Sequence, residues 1–506
     1  MKKSIFLVIA LISMSITQAQ NITDALRYSD NEIQGTARFR ALSGAFGALG
    51  GDMSAVSINP AGAAIFNKSH ASISLITGDV QNDARYFNGF DSSSNSDVDL
   101  NQAGAAIVLK NRNDNSDWRR IVISFAYDRS NNFEEDWFAF GTNTNSVDSY
   151  FLANAQGLRL DEISAFDDET YTGAYGGIGA TFGYGHQQAF LGYESYILEP
   201  ENDADDNTVY FSNIAPGSFD QEYSYAARGY NGKFSFNFAT QYKDNLYLGV
   251  NLNAHFIDYE RSTYFYEENS NLGSLVNQVG FENNLSTIGD GFSFQLGAIA
   301  KLSDNFRVGL SYDSPVWYTI SEETTQYLRT DGDEAILSDF PIVINPNIVN
   351  IFPDYKLQTP SKFTGSLAYI FGKDGLISFD YSTKDYSKAK FKPTSDNYFA
   401  VQNDIISNSL KSSSSYKFGG EYRIKQISLR AGYRFEESPY ENESSFGDLT
   451  GYSMGLGYNF GNTRLDLTYD TSERDTNYQL FDAGLTDSVN LNTNRDNFTL
   501  SLSFNL

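Results

Sequence analysis

Cysteine is missing altogether from the 506 residues. That excludes a disulfide framework, a thiol nucleophile, a thiolate metal site and a lipid-modified N-terminal cysteine. Histidine is almost as scarce: His70, His186 and His255 lie far apart and form no HExxH-type pattern, so no metal site is expected. Basic residues number 36 against 63 acidic ones, a formal net charge of −27. Without clustered Lys and Arg to meet phosphates, a nucleic-acid partner is excluded. Long apolar runs are also missing: beyond the first residues nothing approaches the ~20 residues that a membrane helix needs. Those first residues carry a pattern of their own, with a basic Met1-Lys2-Lys3, an apolar run from Ile5 to Ile16 and the small-residue ending Thr17-Gln18-Ala19. They are expected to be a secretory signal over residues 1–19, cut after Ala19.

What is abundant is aromatic. Phe, Tyr and Trp make up 15% of the chain although the mean hydropathy is only −0.38. In an exported chain this combination suits a transmembrane β-barrel with a wet interior and an apolar exterior. The local pattern supports it. At the C-terminus Phe498, Leu500, Leu502, Phe504 and Leu506 fall on one face of a strand, and Asn497, Thr499, Ser501, Ser503 and Asn505 on the other. Segments around residues 233–238, 246–253, 307–312 and 464–470 alternate in the same way. An Arg on the lipid side near mid-membrane costs roughly 2–4 kcal/mol, so Arg307, Arg430 and Arg464 are expected to face the lumen together with Asp466.

The reading predicts an all-β, antiparallel barrel of about fourteen strands. They begin near residues 68, 102, 119, 229, 245, 289, 305, 361, 374, 413, 425, 450, 463 and 495. Connections alternate between brief turns (111–117, 243–244, 303–304, 372–374, 424–426, 461–462) and longer polar stretches, the longest over residues 130–228. Short turns inside the cell envelope and long loops outside follow from an even strand count with both ends on the periplasmic side. The location implied is the outer membrane of a Gram-negative bacterium. Barrel-assembly machinery and outer-membrane lipids are then the expected partners.

Residues 20–66 do not alternate and are expected to form an N-terminal plug, or hatch, in the lumen of a barrel spanning residues 67–506. The plug contains Gly44-Ala45-Phe46-Gly47-Ala48-Leu49-Gly50-Gly51-Asp52-Met53-Ser54-Ala55-Val56 and then Ser57-Ile58-Asn59-Pro60-Ala61. No strand leads into this Gly-rich run and no Lys-Ser/Thr follows it, so it does not read as a phosphate loop. Its Asp, Ser-Ala-Val and Asn-Pro-Ala, placed just ahead of strand one, resemble the hatch of the FadL/TodX (OmpP1-type) outer-membrane transporters of long-chain fatty acids and aromatic hydrocarbons. The resemblance implies hydrophobic cargo captured by extracellular loops, a hatch inside the barrel and lateral release through the wall. The family's carboxylate-binding basic residues do not align here. From the residues themselves, Pro60 fixes its φ and pushes Asn59 away from helix, which makes Asn59, Pro60 and Ala61 a corner between plug and wall, with or without a gating role.

In the longest loop Val147, Tyr150, Phe151, Asn154, Ala155 and Leu158 recur at helical spacing. A second helix is suggested by Phe190, Tyr193 and Ile197. Between them the tract 172–185 reads as an adaptable apolar surface. Tyr150, Phe151, Leu158, Phe190 and Tyr193 are candidates for hydrophobic capture, the alternative being that they pack the loop into a cap. Transfer of a dozen methylenes out of water gives roughly 10 kcal/mol, so capture is easy and passive release is the difficult step. No cofactor or ATP site is expected, and no catalytic residue: His255, with Asp258 three positions on, reads as structural. The acidic stretches 91–99, 201–206 and 331–334 read as solvated loop surface. The alternative function is a general porin for small polar solutes. A TonB-dependent receptor would need a far larger plug and more strands.

Overall fold

The computed structural model describes residues 21–113, 115–332 and 339–506. The expected signal over residues 1–19 lies outside the described residues, as do Gln20 and residues 333 and 334 of the last acidic stretch.

Fourteen antiparallel strands close on themselves as the alternation predicts. The first four are β1 (His70–Tyr86), β2 (Gly89–Lys110), β3 (Trp118–Asn132, continued by Glu135–Asn143) and β4 (Phe219–Tyr242). Next come β5 (Leu246–Glu268), β6 (Val276–Lys301), β7 (Phe306–Asp313 and Trp317–Gly332) and β8 (Tyr355–Gln358 and Lys362–Phe371). The ring is completed by β9 (Gly375–Asp385), β10 (Ser412–Ile424), β11 (Ile427–Glu436), β12 (Phe446–Asn459), β13 (Thr463–Gln479) and β14 (Ser488–Asn505). Each strand pairs with its neighbours in sequence, and β1 meets β14 with His70 opposite Asn505 and Ser74 opposite Ser501.

Alternation along each strand sorts the two faces. Phe498, Leu500, Leu467, Leu296, Phe292 and Leu310 are exposed on the outside although they are apolar, which only a lipid surround makes favourable. Aromatic pairs flank this belt. Trp118 meets Tyr242 with centroids 5.0 Å apart near the short turns. Nearer the other end stand Tyr312 with Phe363 (4.9 Å), Tyr433 with Tyr452 (5.2 Å) and Tyr469 with Phe498 (5.1 Å). These are the interfacial girdles of an outer-membrane barrel.

The wall is not level. β6 has 26 residues and β5 has 23, whereas β9 has 11 and β11 has 10. Crossing lipid takes only about 9–11 residues, so the β13–β14–β1–β2 and β4–β7 sides stand well clear of it. The region read as loop 130–228 is therefore partly wall: strand runs to Asn132, resumes over Glu135–Asn143 and restarts at Phe219. Likewise residues 91–99, read as solvated loop surface, belong to the outer half of β2 and pair with the outer half of β1. In this part of β2 both faces are mostly polar, whereas in β1 the apolar parity inverts, with Val80, Ala84 and Tyr86 buried inward and Asp79, Gln81 and Arg85 outward.

One stretch of the wall lacks a ladder. β2 pairs with β3 only from Gln102 to Lys110, whereas on its other edge β3 pairs with β4 along its whole length. From Asn101 out to Gly89, β2 faces β3 without backbone pairing. The seam is closed at its outer tip, where Thr142 N–H donates to Asn88 Oδ1 at 2.8 Å.

Candidate functional site: hatch, lumen and cap

The leading segment fills the barrel from the top down. Asn21 caps α1 (Ile22–Arg27) in a capping box with Asp24, and Ala25, Leu26 and Tyr28 pack into the same apolar cluster as the loops above. The chain then descends to α2 (Ala37–Arg40), capped by Thr36, and to single turns over Ser54–Ser57 and Pro60–Ile65. This is the segment expected to form the hatch, and its backbone and side chains bond to several wall strands. Ala37 N–H donates to Ser501 Oγ at 2.6 Å, and the Phe46 and Gly47 N–H groups donate to Asp380 at 3.0 and 2.9 Å. Arg38 reaches Glu421 at 2.9 Å and Arg40 reaches Asp470 at 2.6 Å.

The expected lumen charges are placed there. Arg307 donates to Leu49 O of the hatch at 3.0 Å. Arg430 joins Glu421 (2.6 Å) and Asp466 (2.7 Å), and Arg464 joins Asp466 (2.6 Å), so the hatch and three wall strands share one ionic network. Asn59 is buried, and its Nδ2 donates to Gly47 O (2.8 Å), Ala298 O (3.1 Å) and Leu310 O (3.3 Å), while Oδ1 accepts from Ala61 N–H at 3.1 Å. The corner thus binds hatch and wall together. It fits because the wall is bare opposite it: a Cβ on Gly297 would lie 2.1 Å from Asn59 Oδ1, and one on Gly249 2.4 Å from the Pro60 backbone. Gly309, Gly419, Gly432 and Gly455 leave the same room for Gly47, Leu42, Ser43 and Ala41. Glycines at lumen parity within alternating strands were the available sequence signal for this contact.

Above the hatch lies a cavity of about 150 Å³ between the segment Tyr28–Gln34 and the wall. Lys233, Lys362, Lys384 and Lys417 border it, with Arg129, Asp128, Asp313 and Glu32. Lys362 pairs with Asp313 at 2.8 Å, Lys417 with Glu436 at 3.9 Å, and Lys384 donates to Ser29 O. Lys233, opposite Asp128 on one side and His255 on the other, makes no hydrogen bond or ion pair among the described residues. Sequence reading missed these lysines, although each interrupts a strand on its lumen-facing side. His255 also borders the cavity, with Nε2 2.7 Å from Ser293 Oγ, while Asp258 faces outward, so the two do not form a pair. Among the described residues no cluster of His, Asp and Glu could hold a metal.

The long loop folds into a helical cap. Both expected helices are present, α3 (Asp148–Ala155) and, after one more helix, α5 (Tyr184–Glu194). The tract 172–185, expected as an adaptable surface, is mostly the intervening helix α4 (Tyr171–Thr181). Thr170 caps it, and Ala174, Tyr175 and Ile178 make a buried face that outweighs the poor helix propensity of its glycines. The capture candidates are part of this packing. Tyr150, Phe151 and Phe190 are buried, and Leu158 and Tyr193 are half-buried against them. Phe151 meets Phe281 of β6 at 5.4 Å, and Tyr150 OH donates to Gln188 Oε1 at 3.1 Å. A last helix, α6 (Asn397–Ser409), covers the low side of the wall. Burial raises the pKa of Asp148 and of Glu194, and it lowers that of His186 despite Glu162 at 3.8 Å.

A plugged, capped barrel of this architecture invites comparison with known proteins. Residues 228–503 match the sequence family described as outer membrane protein transport protein (OMPP1/FadL/TodX). The chain belongs to this family. It is accordingly a transport protein of the Gram-negative outer membrane, and OMPP1/FadL/TodX membership displaces the general porin and TonB-dependent readings. A FadL homologue from Pseudomonas aeruginosa shares the fold at 11% identity, with 94% of this chain and 99% of that one covered and a TM-score of 0.54. The toluene transporter TodX of P. putida gives 13% identity, 94% and 99% coverage and a TM-score of 0.53. The monoaromatic hydrocarbon channel CymD gives 12%, 94% and 98%, and 0.51. No curated protein sequence matches the chain.

Proposed function

We propose that this OMPP1/FadL/TodX protein takes up hydrophobic compounds that carry an acidic group, long-chain fatty acids above all, by passive passage and without catalysis. The observation that carries the reading is the lysine-bordered cavity above the hatch. In a chain of net charge −27, four lysines border one lumen space, and one of them, Lys233, makes no hydrogen bond or ion pair among the described residues. An uncharged aromatic hydrocarbon, of the kind TodX and CymD are named for, has no use for such a site. The cavity is smaller than the 300–1,000 Å³ of ordinary ligand pockets, so occupancy by a whole chain requires α1 and the segment below it to yield.

The cap, the lysine cavity and the unpaired seam support the following route. Cargo enters when the cap loosens and exposes Tyr150, Phe151, Leu158, Phe190 and Tyr193. It lodges its head among the lysines and leaves sideways through the seam between β2 and β3 into the lipid, avoiding water. Asn59, Pro60 and Ala61 keep the hatch seated throughout. The test is uptake of a labelled long-chain fatty acid and of labelled toluene by cells making the full chain or the Lys233→Met, Lys362→Met variant. Fatty-acid uptake should fall at least fivefold with toluene entry unchanged. Equal loss of both would overturn the acidic-cargo reading.

A further inference from the structure

The seam is bridged by side chains where the ladder stops. At its lower end Arg129 of β3 reaches across to β2, with Nη1 2.7 Å from Asp99 and 3.4 Å from Asp97. Asn132 donates to Asp97 at 3.4 Å, and farther out Asn95 donates to Asp136 at 3.2 Å. The register breaks between Arg129 and Asn131, and Arg129 is buried next to buried Asp128 although strict alternation would turn it outward. Its side chain is 2% exposed, whereas those of Asp97 and Asp99 are 22% and 43% exposed, and its Nε has no partner. Arg129 also borders two spaces at once, the lysine cavity and a smaller lumen space between Glu32 and Gln34 of the leading segment and Asp97 and Asn132 at the seam.

We propose that Arg129 is an exchangeable latch: the carboxylate of the cargo displaces Asp97 and Asp99 from its guanidinium, and the seam parts only for a molecule able to make that exchange. One cargo carboxylate takes the place of two aspartates, and the guanidinium keeps an anionic partner throughout. The two aspartates released are already part-exposed and return to water, so the buried cation is never left unpaired. The planar guanidinium suits this role, since it holds a carboxylate by two parallel donors and stays charged throughout. A neutral molecule of the same length has nothing to offer Arg129 and meets a closed wall. This rests on the lateral route and acidic cargo of the preceding section.

The chain has no cysteine of its own, so a pair introduced as Asn95→Cys and Asp136→Cys gives a cross-seam bridge that tests the route separately. Cells making the full chain are supplied with a labelled sixteen-carbon fatty acid or its methyl ester. Oxidation of the bridged variant should abolish entry of the acid, and reduction should restore it. Unchanged entry when oxidised overturns the lateral route, and the latch with it. In Arg129→Met, confirmed as folded by heat-modifiable mobility, the native preference for acid over ester should fall at least fivefold. Asp97→Asn with Asp99→Asn keeps the arginine and should raise acid uptake at least twofold at low concentration. If the bridge blocks entry but neither the Arg129 nor the aspartate variant alters the acid-to-ester ratio, the latch is overturned while the lateral route stands.

Discussion

Arg38 and Arg40 sit two residues apart on the hatch, yet losing them has unequal consequences. Glu421, the partner of Arg38, keeps Arg430 and Arg423 at 2.6 and 2.5 Å. Asp470, the partner of Arg40, keeps among the described residues only the Asn497 amide at 3.2 Å. Stranding a buried charge costs about 3–5 kcal/mol. Arg40→Met should therefore unseat the hatch far more than Arg38→Met, seen as a larger rise in single-channel conductance in planar bilayers. Gly297→Val is expected to act like Arg40→Met, because any side chain there collides with Asn59. Arg307, Arg430 and Arg464 could be placed from sequence alone, since the cost of putting them in lipid leaves one choice. Arg129 could not: it is buried where strict alternation would turn it outward, and its role comes from a missing ladder on the neighbouring strand.

At the level of elements the cap is the testable unit. Phe151 and Phe190 are fully buried between α3, α4, α5 and β6, and replacing either by Ser removes about 3–5 kcal/mol of packing. Limited proteolysis should then cut within residues 144–218 while the barrel keeps its heat-modifiable mobility. The cap should also respond to pH. Asp148 and Glu194 have pKa values raised by burial, so their contribution is full below the ordinary carboxylate range and is lost as pH rises through the raised values. His186, lowered by burial, contributes fully above about 6.5 and loses that contribution as pH falls toward its lowered value. Asp148→Asn with Glu194→Gln should thus make the cap harder to cleave at pH 7.5 than the native cap, with little difference at pH 4. Helices α3 and α5 were readable because their aromatics recur at helical spacing. Helix α4 was not, because glycine content argued against a helix that a buried face and a Thr cap support.

For the whole molecule, strand number, order and the short turns were legible because lipid on one side and a wet lumen on the other impose a two-residue period wherever the wall crosses the membrane. The outer halves of the long strands have water outside and the apolar packing of the cap and leading segment inside, so there the period inverts: Ile257, Tyr259, Phe265 and Phe281 turn inward, and polar residues such as Asp258 and Glu260 turn outward. An apolar belt around the full circumference predicts that the purified protein is monodisperse only with detergent or lipid. Dilution into plain buffer should give aggregates by light scattering.

The closure between β1 and β14 has a bearing on how the molecule is made. Ala37 of the hatch donates to Ser501 across 464 positions of chain, and the segment that stoppers the bore emerges from the ribosome before any of the wall that grips it. A finished ring offers no way in for that many buried contacts, so the stopper must already be waiting inside the curling sheet when the last strand zips onto the first. Biogenesis of this barrel is then a matter of wrapping, with the wall built around its own contents.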